Sequence, residues 1–92
     1  MQIPQEFRYL TTCFYAHDVD THATVQEWLQ ATAEGFLSDP QRANVRSFLN
    51  ELLEGNVTDD DLLGLWAGMD SDLSFANGKG LRAFLEVLKV AM

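Results

Sequence analysis

Cysteine is almost missing from this chain. Cys13 stands alone, so neither an internal disulfide nor a zinc site built on cysteine thiolates can form. It sits in the apolar run Thr11-Thr12-Cys13-Phe14-Tyr15, with no lysine or arginine directly beside it and only two histidines further along. A nucleophilic thiolate needs a cation close by, so a buried, inert thiol is expected. Long apolar runs are missing as well. No stretch approaches the ~20 residues that cross a bilayer. The opening Met-Gln-Ile-Pro-Gln-Glu-Phe-Arg has no basic region leading into an apolar run, so no secretory signal is expected and the chain reads as cytoplasmic.

Positive charge is scarce too. Six Lys and Arg stand against fourteen Asp and Glu, a formal net charge of −8. Neutralising phosphates supplies most non-specific nucleic-acid affinity, so a chain this anionic is expected to avoid nucleic acid and anionic membranes alike. The macromolecules it suits are cationic proteins, because complementary fields speed encounter and penalise wrong partners. The same charge also serves solubility alone.

Catalytic signatures are absent. No Gly-x-Ser-x-Gly elbow, phosphate-binding glycine loop or dinucleotide fingerprint occurs, and Gly78-Lys79-Gly80 is too short and follows no strand pattern. Paired-carboxylate catalysis requires burial of one acid, whereas the acids here fall in loops and helix starts. Two stretches invite a metal reading. His17-Asp18-Val19-Asp20-Thr21-His22 gathers two imidazoles and two carboxylates but lacks the helical spacing that sets ligands on one face. Asp70-x-Asp72-x-Ser74 opens like a calcium loop, yet Phe75 and Leu81 stand where glycine and glutamate are required. No catalytic residue, metal or cofactor is therefore expected.

What the chain does contain is a core and helical patterning. With 92 residues, 47% of them apolar, one domain spanning 1–92 is expected, burying about 60–65% of its unfolded surface. Apolar residues at steps of three and four predict five short helices in a compact all-α bundle. The first covers Gln5 to Ala16, through Phe7, Leu10 and Phe14. The second covers Ala23 to Leu37, with Val25, Trp28, Leu29, Ala33, Phe36 and Leu37 on one face. The third covers Pro40 to Glu54, with Asp39 as N-cap and a left-handed stop at Gly55-Asn56. Thr58 caps a fourth that ends near Gly68, and the fifth covers Lys79 to Met92 after a turn at Asn77-Gly78. Trp28 and Trp66 read as core residues.

The acidic residues fall in groups. Asp18 and Asp20 share one loop, Asp70 and Asp72 another, and Glu51 and Glu54 closely precede Asp59, Asp60 and Asp61. Brought together, they would form a negative patch for a cationic surface, with arginines of the partner making paired contacts. The three aspartates also suit the positive end of a helix dipole, which explains them without any partner. Phe75, in a polar loop, is the apolar residue least explained by a core, and joins the acids as a candidate contact.

The order of these features resembles the immunity proteins of bacterial contact-dependent growth inhibition systems. That family is small, acidic and helical, and opens with a leucine-rich segment leading into a motif close to Tyr-Phe-His-Gln-Asp-Trp-Asp. Here the stretch reads Phe14-Tyr15-Ala16-His17-Asp18-Val19-Asp20; the aromatic pair and the two aspartates agree, whereas Ala16, His17 and Val19 depart. The likeness continues through Trp28-Leu29, Ser47-Phe48-Leu49 with Leu52-Leu53, Asp59-Asp60-Asp61-Leu62-Leu63 and Gly80-Leu81-Arg82-Ala83-Phe84-Leu85. It implies a chain that binds the C-terminal toxin domain delivered by a neighbouring cell, often a nuclease with a basic groove, and blocks it by occlusion. The alternative is an acidic helical adaptor with a non-toxin partner.

Overall fold

The computed structural model describes residues 3–14, 22–69, 71 and 73–92. Among the described residues five helices follow one another: α1 (Gln5–Thr12), α2 (Val25–Phe36), α3 (Asp39–Glu54), α4 (Asp59–Ala67) and α5 (Gly78–Ala91). Among the described residues there is no strand, so the architecture is the all-α bundle that the apolar spacing predicts. Its radius of gyration is 12.3 Å, in line with the roughly 12 Å of a globular chain of this length. No helix among the described residues is long and apolar enough to cross a membrane.

The helix ends are set by local chemistry, and in several places they differ from the expectation. α1 stops at Thr12 rather than Ala16. Thr11 and Thr12 donate their hydroxyls back to the carbonyls of Arg8 and Tyr9, at 2.7 and 2.6 Å. Cys13 N–H closes a tight final turn on Leu10 O at 2.9 Å. Side chains that compete for helix carbonyls disfavour continuation. Tyr15 and Ala16 lie outside the described residues.

At α3 the cap is Ser38, not Asp39. The Ser38 hydroxyl accepts from Gln41 N–H, and the Gln41 side chain accepts from Ser38 N–H, a reciprocal capping box. Asp39 takes the first helical position instead and pairs with Arg42. The expected left-handed stop does not form. Gly55 is extended, and no described residue has a positive φ. Asn77-Gly78 is not a free turn either: Asn77 is the N-cap of α5, its side chain accepting from Gly80 N–H at 2.8 Å.

The core draws on all five helices. Helix α5 packs on α2, α3 and α4, and α1 packs on α2 and α3. Phe7 meets Phe48 at 5.0 Å between ring centres, and Phe14 sits 5.6 Å from Trp28 and 5.9 Å from Phe84. Trp28, Trp66 and Cys13 are buried as expected. Two residues assigned to the apolar face of α2 are not buried. The whole first turn at Val25 is exposed. At the other end the helix stops at Phe36 and the backbone turns extended at Leu37, so Leu37 enters the core and Phe36 points out.

Helix α4 carries an avoidable weakness. Gly64 is exposed in its interior, and a methyl group there would meet nothing within 4 Å. Glycine costs a helix interior about 1 kcal/mol relative to alanine. Gly64→Ala should therefore raise the thermal midpoint by roughly 4–8 °C, as read from a circular-dichroism melt.

Candidate partner-binding surface

Residues 51–61 form the most acidic stretch among the described residues. The last turn of α3 contributes Glu51 and Glu54, a short link of residues 55–58 follows, and the first turn of α4 contributes Asp59, Asp60 and Asp61. All five are exposed. The chain's connectivity thus brings together the two groups that the sequence suggested would meet.

Folding accounts for some of these charges. Thr58 caps α4, its hydroxyl accepting from Asp61 N–H at 3.1 Å while the Asp61 carboxylate accepts from Thr58 N–H at 3.3 Å. Asp59 is tied to α5: Arg82 donates from Nε to its Oδ1 at 2.7 Å and from Nη2 to the Val57 carbonyl at 2.6 Å. Below this clamp, Gly78 packs so closely that a methyl group would overlap the Asp59 backbone. Asp59 and Asp61 therefore anchor the start of α4, and all three aspartates meet the positive end of its dipole.

The glutamates have no such explanation. Glu51 and Glu54 lie at the C-terminal end of α3, where the helix presents its carbonyls and its negative pole, and no basic residue occupies that turn. Carboxylates placed there cost a few tenths of a kcal/mol each. Among the described residues, neither glutamate nor Asp60 is held in an ion pair. The patch therefore divides into Asp59 and Asp61, which the fold uses, and Glu51, Glu54 and Asp60, which it does not.

The other candidates fare differently. Asp18, Asp20, Asp70 and Asp72 lie outside the described residues, as does the His17–His22 stretch apart from His22. Among the described residues no group of three or more His, Cys, Asp or Glu side chains could hold a metal ion. Phe75 corrects the expectation that the core leaves it unexplained. It is half-buried and belongs to the aromatic packing, 5.5 Å from Trp66 and 5.2 Å from Phe84. The Trp66 indole N–H donates to the Leu73 carbonyl at 3.1 Å, drawing this segment over the tryptophan. Burial against the core thus explains Phe75 without a partner.

Two features escaped the sequence reading. The Arg82 clamp joins residues twenty-three positions apart, and no spacing rule signals such a pair. An exposed pair of aromatic rings, Tyr9 on α1 and Phe36 on α2, meets edge to face at 6.2 Å. Tyr9 lies off the apolar register of α1, and the spacing in α2 places Phe36 on its apolar face. No protein-family model, curated protein or solved structure matches the chain.

Proposed function

We propose that the chain is an immunity protein: it binds a cationic toxin domain encoded beside it and neutralises it by covering the active or substrate-binding surface. The observation that supports this most directly is the pair Glu51 and Glu54. Two carboxylates stand at the negative end of a helix, unpaired and exposed, where folding alone disfavours them. Charges that cost stability and make no internal contact are expected where a protein meets a partner. A nuclease-type toxin carries a basic groove for phosphates, and an anionic surface can fill that groove. The resemblance to contact-dependent growth inhibition immunity proteins points to the same kind of partner.

The mechanism is steric and electrostatic. The negative field of a chain with net charge −8 draws the cationic domain in, and the unpaired carboxylates then meet its arginines and lysines. Occlusion follows from contact alone and needs no chemical step.

The test is co-expression with the product of the gene immediately upstream, reading growth rescue and the affinity of the complex across a salt series. A tight complex that rescues growth and weakens as salt rises supports the reading. Failure to bind or rescue overturns it. Glu54→Lys gives a sharper check, because its two effects oppose each other. It should stabilise the free chain by about 0.5–1 kcal/mol by satisfying the helix dipole. It should also slow association with the cationic domain by roughly ten-fold at low salt. A variant that became more stable yet bound at the original rate would remove Glu54 from the interface.

A further inference from the structure

We infer that the Asn77–Gly78 peptide is a site of spontaneous covalent modification, deamidation with isomerisation to isoaspartate, which the packing of α5 on α4 holds off. The site stands apart from the proposed partner surface and needs no partner. Asparagine followed by glycine is the dipeptide most open to this reaction, because a residue without a side chain leaves its backbone nitrogen accessible and free to turn. Asn44, Asn50 and Asn56 precede valine, glutamate and valine, and Asn77 alone precedes glycine. Asn77 is also exposed, so water reaches it.

The chemistry needs only water. The Gly78 backbone nitrogen gives up its proton to solvent base and attacks the Asn77 Cγ. A new C–N bond forms, the C–NH2 bond breaks, and ammonia leaves carrying a proton returned by solvent. A five-membered succinimide remains. Water then adds to one of its two carbonyls, whose bond to nitrogen breaks. Opening at Cγ gives aspartate; opening at the backbone carbonyl carbon gives isoaspartate, whose main chain runs through the former side chain.

The fold withholds the first step. Ring closure needs the Asn77 Cβ and the Gly78 nitrogen nearly eclipsed about the Asn77 Cα–C bond. The observed ψ of 164° keeps them well apart, and the Asn77 side chain is held in place by Gly80 N–H at 2.8 Å. Turning the backbone would swing Gly78, which is buried against the Asp59 backbone with no room even for a methyl group. One turn further along α5, Arg82 holds Asp59 and the Val57 carbonyl. Asn77 therefore reacts when the first turn of α5 lifts from α4, and its rate follows how often that local opening occurs.

The two products differ in consequence. Aspartate is as good an N-cap as asparagine and leaves the backbone unchanged. Isoaspartate inserts an extra carbon into the main chain directly before Gly78, so the cap and the contact with Asp59 cannot both be restored. Part of the chains that open are thus prevented from closing again.

The experiment incubates the full chain at mildly alkaline pH, folded and in urea. Deamidation is followed by digestion and mass spectrometry, with chromatography separating the two products. The folded parent is expected to react roughly a hundred-fold more slowly than the unfolded chain. Arg82→Gln, shown by a melt to be folded, is expected to react roughly ten-fold faster than the parent. Val45→Ala, a core truncation on α3, should stay near the parental rate. Asn77→Ser keeps a capping hydroxyl and should show no reaction at this position. The purified isoaspartate form should melt below Asn77→Asp. A folded parent that reacts as fast as the unfolded chain would overturn the protection. Acceleration by Val45→Ala as large as by Arg82→Gln would assign the reaction to global unfolding and overturn the role of the α4–α5 contact. The same mass gain in Asn77→Ser would move the reaction to another amide. An isoaspartate form that melts with Asn77→Asp would overturn the proposed consequence.

Discussion

Gly78→Ala is expected to lower the thermal midpoint by roughly 10 °C or more, the largest loss predicted for adding a single methyl group to this chain. The position opens α5 and is buried against the start of α4. A methyl carbon there would overlap the carbonyl group of Asp59 and lie 2.6 Å from its Cβ. Most of what it strikes is backbone, which cannot rotate away as a long side chain would. Relief requires α4 and α5 to separate, and they separate where Arg82, one turn along α5, holds Asp59 and the Val57 carbonyl. The overlap thus acts against the clamp as well as the packing. Gly80→Ala is the matched control, in the same first turn of the same helix. Its added methyl would meet only the Asn77 side-chain oxygen, at 3.5 Å. Melts of the two variants should differ widely. Equal midpoints would mean that the close approach of α4 and α5 is not a requirement of the fold.

The second large effect is the loss of Phe14. This ring is fully buried just beyond α1, between Trp28 of α2 and Phe84 of α5. Truncating a buried phenylalanine to alanine costs about 3–5 kcal/mol, the lost transfer energy plus the cavity that remains. A domain of this size has about 5–15 kcal/mol in total. Phe14→Ala should therefore leave a chain that unfolds at much lower urea concentration, with the fluorescence of Trp28 and Trp66 together changing in the same transition. Phe14→Leu keeps most of the volume and should recover a large part of the loss. If the alanine variant unfolds within about 1 kcal/mol of the parent, the ring is not central to the core.

This prediction bears on the resemblance to immunity proteins. Phe14 opens the aromatic and acidic stretch on which that likeness leans most. Its aromatic character is explained by packing among Trp28 and Phe84. The functional content of the proposal rests on charge, above all on Glu51, Glu54 and Asp60, which the fold does not use.

Much of the fold could be read along the chain, because helices are written in short-range patterns. Val45, Phe48, Leu49 and Leu52 fall at steps of three and four, and all are buried on one face of α3. Leu81, Leu85 and Leu88 do the same for α5. Thr58 caps α4 as its hydroxyl and position foretold. Reading failed by a residue or two where neighbouring side chains compete for one role. Ser38 displaced Asp39 as the cap because only Ser38 stands three residues before a glutamine that can return the bond. Thr11 and Thr12 shortened α1 by bonding its carbonyls from the side.

The candidate surface was legible in part. The grouping of Glu51 and Glu54 with Asp59, Asp60 and Asp61 follows from proximity in the chain, and the structure keeps them together and exposed. Which of them are free does not follow from proximity. Asp59 is taken by Arg82 from another helix, and Phe75 is absorbed by Trp66 and Phe84. The Tyr9–Phe36 pair exists only because α2 ends one residue before Leu37, turning Phe36 outward beside a ring from α1.

By itself, the sequence determined the helical class, the number and approximate span of the helices, the buried tryptophans and the anionic character of the surface. Each depends on intervals of a few residues or on totals, which a linear chain carries in full. Only the tertiary structure decided that Gly78 is a contact rather than a turn, that Arg82 secures Asp59, and that Phe75 is packed while Phe36 is exposed. Those outcomes depend on which helices become neighbours, and that is settled by burial summed over the whole core rather than by any local interval.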